Sequence, residues 1–178
     1  LVADGAVIGD RHDGRPSRIE RFRQLHESGC FVIPNPWDVG SARALVGLGF
    51  HALATTSSGA AWTIGRADHH VTLDDALAHF RTIAASVEVP VNGDFEAAFA
   101  VEPADVAANI SAAAATGIAG VSIEDSTEDA ADPLFEFQHS ATDRCRAEAR
   151  CGRRTRQAAA TRNVEEKLIG IPSDVFHE

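Results

Sequence analysis

The chain has 178 residues, 44% hydrophobic and 24% charged, with a formal net charge of -10. That length supports one domain with a sizeable core, and the acidic balance argues against nucleic acid as a partner. No apolar run reaches transmembrane length, and Cys30, Cys145 and Cys151 form no C-x-x-C pair, which argues against a disulfide framework or zinc site and for a reducing cytoplasm.

Residues 1–16 read as a loose leader with Gly5, Gly9 and Gly14 and no continuous apolar signal core. Ser17 and Glu20 have capping-box spacing, and Ile19, Phe22 and Leu25 supply an apolar stripe, so a helix is predicted that stops at Gly29. Phe31-Val32-Ile33 predicts a short strand halted by Pro34 and Pro36. Asp38 caps a helix to about Leu48, ended by Gly49. His51 to Thr56 gives a second strand, and Ser57 to Val71 reads as a long, glycine-containing loop. Thr72 and Asp75 form another capping box, opening a helix to about Ser86. Val89 to Val91 begins a third strand that runs into Asn92-Gly93-Asp94-Phe95-Glu96. Pro103 suits the first turn of a helix ending near Gly117, and Ile118 to Ile123 is a fourth strand followed by Glu124 and Asp125.

Strand, loop and helix thus recur four times over residues 17–140, with short apolar strands of the kind buried on both faces in parallel sheets. The acids collect at the C-terminal strand ends, which form the active-site face of a (β/α) barrel and also the binding edge of an open doubly wound sheet. Strand count alone does not choose between them. Residues 141–178 differ in character: Arg144 to Arg162 holds seven arginines and one acid, Glu148. This tail reads as a solvated basic helix or a frayed terminus, with a little helical pattern over Asn163 to Ile171 and no fifth strand of the same type.

Asp94 and Glu96 sit two apart past the third strand, so on an extended backbone they face one side. Glu124 ends the neighbouring strand. Three converging carboxylates repel, and a hard divalent cation relieves that; oxygen donors suit Mg²⁺ or Mn²⁺. Read from spacing alone, the same acids also fit helix caps and solvated loop residues. His69 and His70 are adjacent on a loop, a placement that seldom converges on one ion. Trp37 and Trp62 fit either a pocket mouth or lid packing.

The segments 31–42, 54–59 (Ala-Thr-Thr-Ser-Ser-Gly), 65–68 (Gly-Arg-Ala-Asp), 91–96 (Val-Asn-Gly-Asp-Phe-Glu) and 120–127 (Gly-Val-Ser-Ile-Glu-Asp-Ser-Thr) together resemble the isocitrate lyase/phosphoenolpyruvate mutase family, in order and at sensible spacing. The resemblance covers about residues 17–137 and is specifically to the N-terminal half of the branch with an Ile-Glu-Asp-Ser-Thr motif. It implies an α/β fold, a partial (β/α)8 TIM barrel of about four β/α units plus the atypical tail. It implies a Mg²⁺-dependent lyase or mutase acting on C–C or P–C bonds of small 2-oxo acids resembling oxaloacetate or phosphonopyruvate. Carried over by position, Asp94, Glu96 and Glu124 hold Mg²⁺. The backbone at Ser57, Ser58 and Gly59 binds the substrate carboxylate, and Asp38 and Asp68 are the catalytic candidates. Mg²⁺ would stabilise the oxyanion that develops beside the breaking bond, which also explains how an acidic protein accepts an anion.

The sequence departs from that family in three places. No Lys-Lys-Cys-Gly-His loop is present, Ala97 and Ala98 stand where glycines are common, and strands five to eight are not recognisable. A frame-disrupted reading beyond about Ser140, or a half-barrel that pairs with a second copy, accounts for the last departure. The competing reading is a catalytically silent remnant or an anion-binding oligomerisation module. Val32, Leu53, Val91 and Val121 are expected on the barrel-facing side, where a half-barrel exposes them, so a homo-oligomer is expected.

Overall fold

The structure is a computed structural model that describes residues 16–127, 131–132 and 134–135, together with the backbone of 167–170. The expected leader and the arginine-rich stretch 144–162 lie outside the described residues, apart from Pro16.

Among the described residues, five helices and four strands follow in chain order. Helix α1 spans Arg18–Leu25, α2 Val39–Gly47, β1 Leu53–Ala54, α3 Ser57–Thr63, α4 Leu73–Ser86, β2 Val91–Asp94, α5 Pro103–Ala114, β3 Gly120–Ile123 and β4 Lys167–Gly170. Strands β1, β2 and β3 are parallel neighbours in that order, with Leu53 opposite Val91 and Asn92 opposite Gly120. Each parallel pair is joined through helices, as parallel pairing requires.

The helix starts are set by local chemistry. Ser17 accepts from the Glu20 amide at 3.2 Å. Asp38 and Ser41, and Thr72 and Asp75, form reciprocal capping boxes. Pro103 sits in the first turn of α5, where its missing N–H costs no helical hydrogen bond. Gly29, Gly49 and Gly117 carry positive φ at the helix exits.

Because side chains alternate along a strand, the register places Leu53, Val91, Gly93 and Val121 on one face. That face packs on the helices. A Cβ on Gly93 would stand 2.9 Å from Phe80 of α4 and from Ile118. Leu53, Val91 and Val121 are buried with Phe80, Ile83, Val106 and Ile110 in a single core. Each such apolar side chain contributes about 1.5–3 kcal/mol. The expected barrel-facing exposure of Leu53, Val91 and Val121 is therefore corrected: these residues point to the helix layer, and only Val32 is exposed. The opposite face carries Ala54, Asn92, Asp94, Gly120 and Ser122. Asn92 Nδ2 donates to Ser122 Oγ at 3.1 Å, and Phe22 of α1 lies against Gly120.

Three further expectations change. Residues 31–33 are not a ladder strand: Pro34 and Pro36 lack N–H groups, and the segment is tied to β1 by the Ala54 amide donating to the Pro34 carbonyl at 3.1 Å. The stretch 57–71 is not all loop, because Thr56 caps α3 through the Gly59 amide at 3.3 Å. Gly59 marks close packing here: an added Cβ would lie 2.6 Å from Thr56 Cγ2 and 3.1 Å from Trp37 Cβ. In the tail, residues 167–170 form β4, antiparallel to β3, instead of continuing a helical pattern.

Candidate active site

Strand β2 ends at Asp94, and this end is built from paired backbone groups. The Asp94 amide donates to Thr55 Oγ1 at 2.8 Å, while its carboxylate accepts from the Ser57 amide at 2.7 Å. Asp94 thus fastens the end of β2 to the first turn of α3, whose partial positive charge favours an anion there. One strand over, the Glu124 amide donates to the Glu96 carbonyl at 2.8 Å. The Phe95 amide also reaches the Ser122 carbonyl at 3.0 Å. Asp94, Glu96 and Glu124 therefore share one edge of the sheet.

The backbone after Asp94 is not extended. Glu96, Ala98 and Phe99 have φ of 46°, 58° and 56°, each costing on the order of 1–3 kcal/mol for a non-glycine residue. Strand alternation consequently stops at Asp94 and does not place Glu96. The turn carries Glu96 inward, where it is 4% exposed. Ala98 and Phe99 occupy left-handed positions that a glycine would fill without strain.

A cavity of about 270 Å³ lies beside this edge; Thr55, Ser57, His79, Asp94, Glu96 and Phe99 are among its lining residues. Of the three amides singled out for a substrate carboxylate, Ser57 is engaged by Asp94 and Gly59 by Thr56 Oγ1, which leaves Ser58 as the available donor. Asp68 lies on the α3–α4 connection and accepts from the His69 amide at 3.2 Å. Asp38 is the N-cap of α2, and Ser41 binds its carboxylate through both amide and hydroxyl. Those bonds hold the Asp38 carboxyl below its ordinary pKa.

Two histidines enter the site: His79, which no local signal marked, and His69 of the adjacent pair that the sequence reading set aside. His79, on α4, lines the cavity, and its Nε2 is buried with no hydrogen-bond partner. Burial pushes its pKa below the ordinary value, against an opposing pull from Asp38. His69, with φ of 58°, places Nδ1 3.9 Å from Glu96 Oε2. Among the described residues, the group whose metal-ligating atoms converge is Asp68, His69 and Glu96, all within 4.8 Å of one another. Asp94 and Glu124 stand outside that group. Their donor set still fits Mg²⁺, a hard ion that takes oxygen ligands, keeps several waters and does not need every carboxylate in direct contact.

Residues 22–163 match the phosphoenolpyruvate phosphomutase family. An uncharacterized protein of Mycobacterium tuberculosis H37Rv is 39% identical over 116 residues, which is 64% of this chain and 44% of that protein. The crystal structure of a lyase/mutase-type protein from Burkholderia cenocepacia J2315 is 41% identical with a TM-score of 0.73, covering 75% of this chain and 49% of that one. The structure of 2,3-dimethylmalate lyase, a member of the PEP mutase/isocitrate lyase superfamily, is 27% identical with a TM-score of 0.68, over 76% of this chain and 49% of that one. The chain spans about half the length of these relatives and forms an α/β arc of their barrel-like fold. With the match running through α1 to α5 and through the acids at the ends of β2 and β3, the chain belongs to the phosphoenolpyruvate phosphomutase family.

Proposed function

We propose that the chain carries the Mg²⁺-binding half of a lyase- or mutase-type site acting on C–C or P–C bonds of small 2-oxo acids. The observation that carries this reading is the shared edge of Asp94, Glu96 and Glu124 at adjacent parallel strands, beside a cavity of about 270 Å³. The kinship with 2,3-dimethylmalate lyase supports a carboxylate-bearing substrate. Asp94 and Glu124 would hold Mg²⁺, with Glu96 as their partner and Mn²⁺ as an alternative ion.

When bound, the ion would act as a Lewis acid toward the oxyanion that develops beside the breaking bond. The chain's own groups prepare the rest. Thr55 and the Ser57 amide hold Asp94 in one orientation before substrate arrives, which lowers the reorganisation needed for reaction. The Ser58 amide offers a hydrogen bond to a substrate carboxylate. Asp68, on the α3–α4 connection, is the proposed catalytic acid or base, and Asp38 acts at a distance through its charge on His79. Trp37, Trp62 and Ile64 expose apolar surface, which supports pairing with a second copy; light scattering at micromolar concentration tests it, and a persistent 18.9 kDa species would exclude it.

The functional test is calorimetric titration with Mg²⁺ and then oxalate, a mimic of the enolpyruvate unit. Asp94→Ala and Glu124→Ala should each weaken Mg²⁺ binding about tenfold, roughly 1.4 kcal/mol. Unchanged affinity in both variants would remove the assignment. Turnover assays with oxaloacetate, phosphonopyruvate and 2-alkylmalates then separate a working site from a silent binding module.

A further inference from the structure

The cavity of about 270 Å³ meets the strand-end acids along part of its wall, and helices α3 and α4 supply most of the rest. Ala60 of α3 and Ile64 at its C-cap line it on one side, Ala76 and Phe80 of α4 on another. An apolar cavity of about 150 Å³ already accepts a benzene ring, so this one has room for a ring and a substituent. Ile64 is also 53% exposed, which continues the apolar wall out to solvent.

His79 is the member of that wall whose polar atom lacks a partner. Its Nε2 is buried and makes no hydrogen bond, a state that costs free energy until a partner is supplied. The hydroxyls of Thr63 and Thr82, which also line the cavity, are spent on the Ala60 and Ala78 carbonyls. Burial holds the His79 imidazole in its neutral form, with one N–H and one lone pair. A hydroxyl both donates and accepts, so it suits Nε2 in either tautomer. The terminal torsion of histidine is broad, which lets the ring turn toward an oxygen in the cavity. Charge narrows the ligand further. Asp75 and Asp94 in the wall repel a carboxylate or phosphate. Asp75 is already paired with Arg66 and Asp94 with the Ser57 amide, so neither calls for an ammonium.

We propose that this cavity binds a small neutral alcohol with an aromatic or branched-alkyl body. Its hydroxyl bonds to His79, and its body packs against Ala60, Ile64, Ala76 and Phe80. The site needs no metal and is filled alongside the 2-oxo acid, not in its place.

The test uses the full chain with benzyl alcohol as probe, followed by ligand-observed magnetic resonance, first without metal and then with Mg²⁺ and oxalate. Benzyl alcohol should bind in both conditions with affinities within about twofold, and benzoate and benzylamine should each bind about tenfold or more weakly. Toluene, the same body without the hydroxyl, should also bind more weakly than the alcohol. His79→Leu keeps an apolar wall and should lower the alcohol to the affinity of toluene while leaving toluene within about twofold. Ala60→Leu, which fills the cavity, should weaken both. Circular dichroism confirms that each variant is folded. Equal binding of alcohol and toluene by the unmodified chain overturns the proposal, as does tighter binding of benzylamine or benzoate. Alcohol binding that survives both variants places the probe elsewhere and overturns it too. Displacement of the alcohol by Mg²⁺ and oxalate would assign the cavity to the oxo acid, and displacement on raising protein concentration would assign it to a second copy; either result also overturns it. Failure of Mg²⁺ to bind, with alcohol binding intact and sensitive to His79, removes the function proposed above and leaves this site standing.

Discussion

Gly120 has no room for even a methyl group. A Cβ there would lie 2.5 Å from Phe22 Cε1 and 3.1 Å from Asn92 Oδ1, so the bare backbone lets α1 close on the sheet. Gly120→Ala should cost about 1–3 kcal/mol through overpacking, read as a lower urea midpoint at unchanged slope. Combining it with Phe22→Leu should return part of the loss, because the colliding ring edge is removed. His79 acts at the same scale. Its folded pKa lies below the ordinary 6.5 because burial disfavours the imidazolium. The unfolded chain therefore binds the proton first as pH falls below about 6.5, so His79 costs stability progressively until its folded form also protonates. The thermal midpoint should fall between pH 7.5 and 5.5, and His79→Gln should flatten that slope. An identical slope in the variant would show that the burial of His79 is not coupled to folding.

Helix α4 is the element most fully determined at both ends. Its start is the Thr72–Asp75 capping box, reinforced by Arg66 on Asp75. Two of its C-terminal carbonyls are met by arginines from other helices, Arg18 reaching Ala84 O at 2.7 Å and Arg43 reaching Ser86 O at 3.4 Å, and Arg21 reaches Glu88 O just past the helix at 2.5 Å. Cations at a helix C-terminus complement its dipole and the unpaired carbonyls there. Thr72→Ala should cost about 1 kcal/mol, measured by chemical denaturation, with Thr72→Ser retaining most of the stability. Asp38 and Asp75 both have lowered pKa values, from Ser41 and from Thr72 respectively. Each therefore supports folding above the unfolded carboxyl value and loses that support as pH falls through the lower folded one. The α2 and α4 caps should weaken together below about pH 4, visible as acid loss of helical circular dichroism that Asp75→Asn shifts.

At the scale of the whole molecule, β4 occupies the edge of β3 with an antiparallel ladder, from Gly120 opposite Gly170 to Ile123 opposite Lys167. An unpaired edge presents backbone donors and acceptors to any other chain. Removing residues 164–178 should lower the thermal midpoint and make scattering rise with protein concentration. Unchanged stability and scattering would mean that this edge needs no partner. The expectation of assembly from exposed core residues loses Leu53, Val91 and Val121, which the helix layer covers, and rests instead on surface residues such as Trp37 and Trp62.

What the sequence by itself determined is local or periodic. Capping boxes join residues three apart, prolines and glycines mark helix starts and exits, and acids follow apolar strands, so α1, α2, α4, α5 and the strand-end carboxylates were legible before any contact was known. The interactions decided by the tertiary structure lie far apart in the chain. Whether Phe31–Ile33 pairs as a strand depends on donors supplied across the sheet, and the prolines beside it withhold theirs. The facing of Leu53, Val91 and Val121 depends on which side the helices cover, and alternation alone is symmetric between the two sides. The meeting of His69 with Glu96 depends on two left-handed residues that bend the chain away from its extended course. No short-range rule assigns that conformation to a histidine and a glutamate, because its cost is met by packing around the turn and not by the residues themselves.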